Sequence, residues 1–219
     1  MRYKYILLAI MVLLPALAQS GWATTIWLES DHGDAGRFPW TAQVTVGSGV
    51  LDEIRGRIAV EDGVDMYLIS ITDPDGFSAK ATTITDALGD PQLFLFDQDG
   101  YGVEANDDRS ATNALPWLRA GNPHSPTTPG LYYLAISAYD NDPRSKGNGP
   151  LFPNGKTGIA GPNGPGGAFT VDAWTNDGTD TGRYRIQLTG AEFAVPEPAT
   201  VVLLAAGLAA WFLRRRLSR

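Results

Sequence analysis

The chain has 219 residues with 17 basic and 24 acidic side chains, a formal net charge of −7, and no cysteine. The missing cysteine excludes disulfide staples, a thiolate metal site, a cysteine nucleophile and a lipid-modified N-terminal cysteine, so any folded part must stand on its own apolar core. Without Arg2, Lys4, Glu197, Arg214, Arg215, Arg216 and Arg219 at the two ends, the middle keeps 11 bases against 23 acids. That net of −12 repels nucleic acid and anionic lipid, favours solubility and suits cations.

In chain order, the first segment, "MRYKYILLAIMVLLPALAQSGWATT", sets Arg2 and Lys4 before an apolar stretch from Ile6 to Leu17 and small residues at Ala16, Ala18 and Ala23. This is the layout of a secretory signal peptide, which implies the secretion machinery as a partner. Cleavage after Ala18 or after Ala23 satisfies the small-residue requirement, and the boundary is placed at Ala23, giving a signal peptide over 1–23.

Residues 24–194 read as one all-β domain. Period-2 patterns run from Trp40 to Leu188 with turn signals between them, and no long stretch has helical periodicity. Strands are expected at 42–46, 54–60, 65–71, 77–83, 92–97, 102–106, 131–137, 168–174 and 183–189. In "DMYLISI" (65–71) both faces are largely apolar, as in a central strand. In "RYRIQLT" (183–189) Tyr184, Ile186 and Leu188 oppose Arg183, Arg185 and Gln187, which predicts one wet face at the core's edge. "DQDGYG" (97–102) reads as a hairpin connection with Gly100 at positive φ. The whole set predicts an antiparallel β-sandwich. Between 140 and 167 glycine, proline and asparagine dominate; a loop of this length is either functional or disordered, and so few apolar residues favour a disordered segment or a mobile surface flap.

The last segment, 195–219, is "VPEPATVVLLAAGLAAWFLRRRLSR". As a helix, its apolar run from Val201 to Leu213 spans about 20 Å, short of a ~30 Å hydrocarbon core, which makes it a marginal anchor. The arginines place its end on the cytoplasmic side. Pro196 and Pro198 keep the approach extended.

Catalytic chemistry is sparse. Two histidines, His32 and His124, sit in turn-like polar surroundings, and no G-x-S-x-G, H-E-x-x-H or G-x-x-x-x-G-K-[ST] motif occurs. A carboxylate pair for glycoside hydrolysis would arise here from the abundance of acids alone. The chain is therefore expected not to be an enzyme, and no cofactor is indicated beyond a candidate Ca2+. Calcium takes six to eight oxygens at once. Candidate ligands are Asp97 and Asp99, then Asn106, Asp107 and Asp108, then Asp140, Asn141 and Asp142. Asp and Asn also favour turns for backbone reasons alone, so each cluster has a purely conformational alternative. Exposed aromatics, Trp117, Tyr139 or Trp174, would favour a sugar-binding surface, and burial of all three a structural role.

Two resemblances complete the sequence reading. The stretch from about Ile54 to Asp142 resembles the bacterial pre-peptidase C-terminal (PPC) domain family. The match rests on the D-x-Y strand at Asp65–Tyr67, the D-P-x-L-x-L-x-D block at Asp90–Asp97, the N-D-D turn and the G-x-Y-Y strand at Gly130–Tyr133. It implies a jelly-roll-like β-sandwich that binds calcium in some relatives. The segment 195–219 resembles a PEP-CTERM sorting signal, with Pro196, Glu197 and Pro198 as the motif, a hydrophobic helix, and Arg214, Arg215 and Arg216 as the basic stop. That likeness implies recognition by an exosortase-type transpeptidase and transient anchoring in the inner membrane. It also implies an association with exopolysaccharide production, and the expectation is a non-enzymatic protein of the cell surface or exopolysaccharide matrix in a structural or adhesive role. A secreted calcium-dependent carbohydrate- or peptide-binding module is the alternative.

Overall fold

The computed structural model describes residues 25–59, 63–155, 157–175 and 180–196; the signal peptide expected over 1–23 and most of the sorting segment lie outside the described residues. Alternation of apolar and polar side chains fixes which way each strand faces, and two main sheets result. The strands in chain order are β1 (Ile26–Leu28), β2 (Gln43–Val44), β3 (Val46–Gly47), β4 (Glu53–Ile58), β5 (Val64–Ile71), β6 (Ser78–Ala81), β7 (Pro91–Asp97) and β8 (Gly102–Asn106). They continue with β9 (Trp117–Arg119), β10 (Gly130–Ala138), β11 (Pro143–Ser145), β12 (Gly149–Pro150), β13 (Ala173–Trp174), β14 (Gly182–Thr189), β15 (Ala191–Phe193) and β16 (Val195–Pro196). One sheet runs β1-β4-β14-β6-β9; the other runs β15-β5-β10-β7-β8, with β2 also pairing with β5.

The inward faces of these sheets make the main core. Ile54, Ile58, Tyr184, Ile186 and Leu188 from the first sheet meet Tyr67, Ile69, Ile71, Leu93, Leu95, Leu134 and Ile136 from the second. The all-β sandwich expected from the sequence is therefore present, and β5 is apolar on both faces as its pattern predicts. Three pairings depart from a purely antiparallel fold: β1 with β4, β2 with β5, and β16 with β3 run parallel. β14 keeps its wet face, but it lies between β4 and β6 rather than at the edge. Sequence periodicity reports the face of a strand and not its neighbours.

The segment 140–167 is not a loose flap. It carries β11 and β12, which join β13 in a small sheet, and it buries Leu151 and Phe152. Together with Val171 and Trp174 these cover Val64, Met66, Phe94, Phe96 and Ala135 on the outer face of the second sheet. Phe94 meets Phe152 and Trp174 at ring-centroid distances of 5.8 and 5.6 Å. Few apolar residues suffice here because both faces of β5 and β7 offer partners. The strand expected over 168–174 shrinks to β13 for the same reason: its residues serve as a cover.

Candidate functional site

Strand register decides which acidic turns meet. Leu93 pairs with Asn106 and Gln92 with Ser137, so the turns before β7, after β8 and after β10 share one end of the second sheet. Asp97 and Asp99 lie at the other end of β7, roughly 20 Å away by strand rise. At the shared end Asp90, Asp107 and Asp108 bring carboxylate oxygens within 4.8 Å of one another. Asp90, missed in the sequence, belongs to this group because the β7–β8 register places it there. Asp142 lies close by, accepting a hydrogen bond from Gln92 Nε2 at 3.2 Å.

The side chains of Asn106 and Asp97 are committed to backbone. Asn106 Nδ2 donates to the carbonyls of Asp108 and Gly158 at 3.1 and 2.8 Å, and its Oδ1 accepts from Trp117 N at 2.7 Å. Asp97 Oδ1 accepts from the amides of Asp99 and Tyr101 at 3.0 and 2.9 Å, closing the turn in which Gly100 has φ +88°. Asp140 takes a φ of 61° and its carbonyl accepts from Thr175 Oγ1 at 2.8 Å. The expected clusters thus do not form one site. The Asp90–Asp107–Asp108 group suits a hard cation in kind, and three monodentate carboxylates supply three of the six to eight oxygens calcium takes.

A second acidic group lies inside the sandwich, where no turn motif announced it. Glu29, in a 3₁₀ turn over Glu29–Asp31, and Asp65 of β5 are both buried. Glu29 accepts from Arg57 N at 2.8 Å and Ala35 N at 3.1 Å, and burial still raises its carboxyl above the usual range. Carboxylate oxygens of Glu29, Asp34 and Asp65 lie within 4.8 Å of one another. Tyr184 donates to Asp65 Oδ2 at 2.6 Å and shares a short hydroxyl contact with Tyr67. Burial drives both phenols well above their ordinary value. Only glycine fits at 56, because a Cβ there would stand 2.1 Å from Tyr184 Oη and 2.5 Å from Glu29 Oε2. This network ties the two sheets together.

A third buried acid, Glu104 of β8, is fully enclosed. Its Oε2 accepts from Asn122 Nδ2 at 2.8 Å, Oε1 has no hydrogen-bond partner among the described residues, and burial raises its pKa to about 7. The histidines sit apart from these acids: His32 stacks on Trp27 at 3.8 Å, and the His124 ring packs against Gly161.

The aromatics divide unexpectedly. Trp174 is buried, and Trp117 and Tyr139 are half-buried. Lys80, Arg109 and Arg119 approach the Trp117 ring at 5.7, 5.4 and 5.1 Å. Exposed rings occur instead at Trp40, Tyr101 and Phe169, which are 69, 44 and 45 % exposed. Their segments adjoin: Tyr101 bridges Thr170, Val171 N donates to Gly100 O at 3.0 Å, and the Pro39 side chain lies beside Gly100, its Cγ 3.4 Å from where a Gly100 Cβ would be. Sequence spacing could not reveal a patch drawn from three distant turns.

Finally, the described chain ends inside the fold. Val195 pairs with Val46, its amide donating to Thr45 O at 3.1 Å, and Ala194 N donates to Thr45 Oγ1 at 3.0 Å. Pro196 has no amide hydrogen, so the ladder stops there. Glu197, Pro198 and Arg214, Arg215 and Arg216 lie outside the described residues. Residues 194–216 match the family model for the PEP-CTERM protein-sorting motif. No curated protein sequence matches the chain. The chain carries this sorting motif, which indicates export, transient membrane anchoring through the C-terminal segment and recognition by an exosortase.

Proposed function

We propose that this is an exported, non-enzymatic protein of the cell surface or exopolysaccharide matrix, sorted by an exosortase-type transpeptidase, whose sandwich has a structural or adhesive role. The observation that carries this is the sorting motif over 194–216, which begins on the last strands of the folded body with no linker between. The buried network of Glu29, Asp65, Tyr67 and Tyr184 and the double-faced packing of β5 support a rigid spacer. A two-sheet β-sandwich is the architecture that the PPC likeness implies. Intact mass and fractionation in wild-type and exosortase-deficient cells test the sorting. The mature wild-type protein is expected to lack Arg214–Arg219 and to leave the inner membrane, whereas the deficient strain retains both. Retention of those arginines in both strains would overturn the proposal.

The exposed rings of Trp40, Tyr101 and Phe169 favour a second reading, a calcium-dependent carbohydrate- or peptide-binding module, because solvent-facing aromatics stack on sugar faces. The Asp90–Asp107–Asp108 group would hold the cation. Trp40→Ala is then expected to weaken retention on the producing cell's polysaccharide roughly tenfold, with a chelator lowering both retention and melting temperature. Unchanged retention and melting would remove this reading.

A further inference from the structure

The segment from Gln43 to Val50 has its polarity reversed. Gln43 and Thr45 point inward and are buried, while Val44, Val46 and Val50 are 42, 37 and 52 % exposed. The inward polar groups are satisfied: Gln43 Oε1 accepts from Trp27 Nε1 at 2.7 Å, and Thr45 Oγ1 donates to Leu68 O at 2.8 Å. The valines outside have no such reason to be there. Val195, 41 % exposed, stands beside Val46 in the β3–β16 pair, and Leu28, 37 % exposed, shares a groove with Val46 and Phe193 that Asp31 and His32 also line. In a body of net charge −12, the run from Thr41 to Leu51 contains no charged residue.

The position of this patch identifies its occupant. The described residues end at Pro196, within the patch, and the apolar run of the sequence begins at Val201. Five residues reach at most about 17 Å when fully extended. The headgroup layer on one side of a bilayer takes up roughly 5–8 Å of that reach. A body whose tail is inserted therefore cannot stand off from the membrane, and the face it turns toward the lipid is the one from which the tail emerges. The geometry points to the Val44–Val46–Val50–Val195 edge, with Leu28, as a lipid-docking surface that seats the sandwich on the outer leaflet of the inner membrane while the tail is in place. The Thr41–Leu51 run brings no charge of its own to the interface, with Asp31 in the groove beside Leu28 and Glu192 bridged to Val50, so it meets less repulsion there than a surface of net charge −12 would on average. This inference rests on the sorting tail entering the bilayer.

The absence of native cysteine makes the test clean. Single nitroxide labels are placed on the full chain at Val44→Cys, Val50→Cys and, across the sandwich in the β8–β9 connection, Thr112→Cys. The chain is reconstituted in phosphatidylethanolamine vesicles with a minority of phosphatidylglycerol. Labels at 44 and 50 are expected to show a several-fold higher ratio of oxygen to water-soluble nickel accessibility than the label at 112. If the chain floats with the vesicles but all three labels are equally open to nickel, the docking surface is wrong and the tail reading stands. If the chain does not float, the tail reading fails and takes the docking surface with it. Shielding at 44 and 50 that is already present without vesicles overturns lipid as the occupant, in favour of the chain's own tail or a second copy.

Discussion

Glu104 shows how one side chain can set a pH dependence that the overall composition would not suggest. Its folded pKa of about 7 lies above the ordinary carboxyl value of 4.5, so the folded state binds the proton more tightly than the unfolded state. Its contribution to stability is therefore present in full below pH 4.5 and is lost as pH rises toward 7. Glu29, also raised by burial, acts in the same direction. Glu104→Gln removes the titration. Measured by chemical unfolding from pH 4.5 to 8, the difference between variant and wild type is expected to move in the variant's favour by about 3 kcal/mol. A parallel pair of stability curves would show that Glu104 does not hold that proton.

At the scale of elements, strand faces were readable and strand neighbours were not. Tyr184, Ile186 and Leu188 announce an inward stripe by alternation alone, yet the position of β14 between β4 and β6 depends on pairings across more than a hundred residues. The hairpin at Asp97–Gly102 was readable because its acceptors and its glycine are local. The acid cluster was only half readable, since Asp107 and Asp108 are adjacent in sequence while Asp90 arrives through register. The 140–167 segment was misread because Leu151 and Phe152 look like isolated apolar residues until the outer face of β5 and β7 is seen beneath them. Leu151→Ala is accordingly expected to cost about 2–5 kcal/mol in denaturant unfolding, as for other buried leucines. A mobile flap would tolerate the change within about 0.5 kcal/mol.

Across the whole molecule, the last described strands complete the body rather than trail from it. Ala191 and Phe193 are buried, and β15 pairs with β5 while Leu51 N donates to Ala191 O at 3.0 Å. A chain ending at Pro196 is expected to melt like the full body, and one ending at Gly190 to lose at least about 3 kcal/mol through exposure of Phe193 and the β5 edge. Equal melting of the two would show that β15 and β16 are dispensable.

The late arrival of β14 has a consequence in time. Tyr184 meets Asp65 across 119 positions, and Ala194 meets Thr45 across 149. A chain emerging N-terminus first cannot close either pairing until nearly the whole body has crossed the membrane, and closures that distant are intrinsically slow. The apolar run at Val201 follows only a few residues behind. On the proposed sorting route, completion of the sandwich and arrival of the tail in the bilayer would coincide, so the body would finish folding while tethered, and the tether's lifetime would become the time the protein has to fold before release.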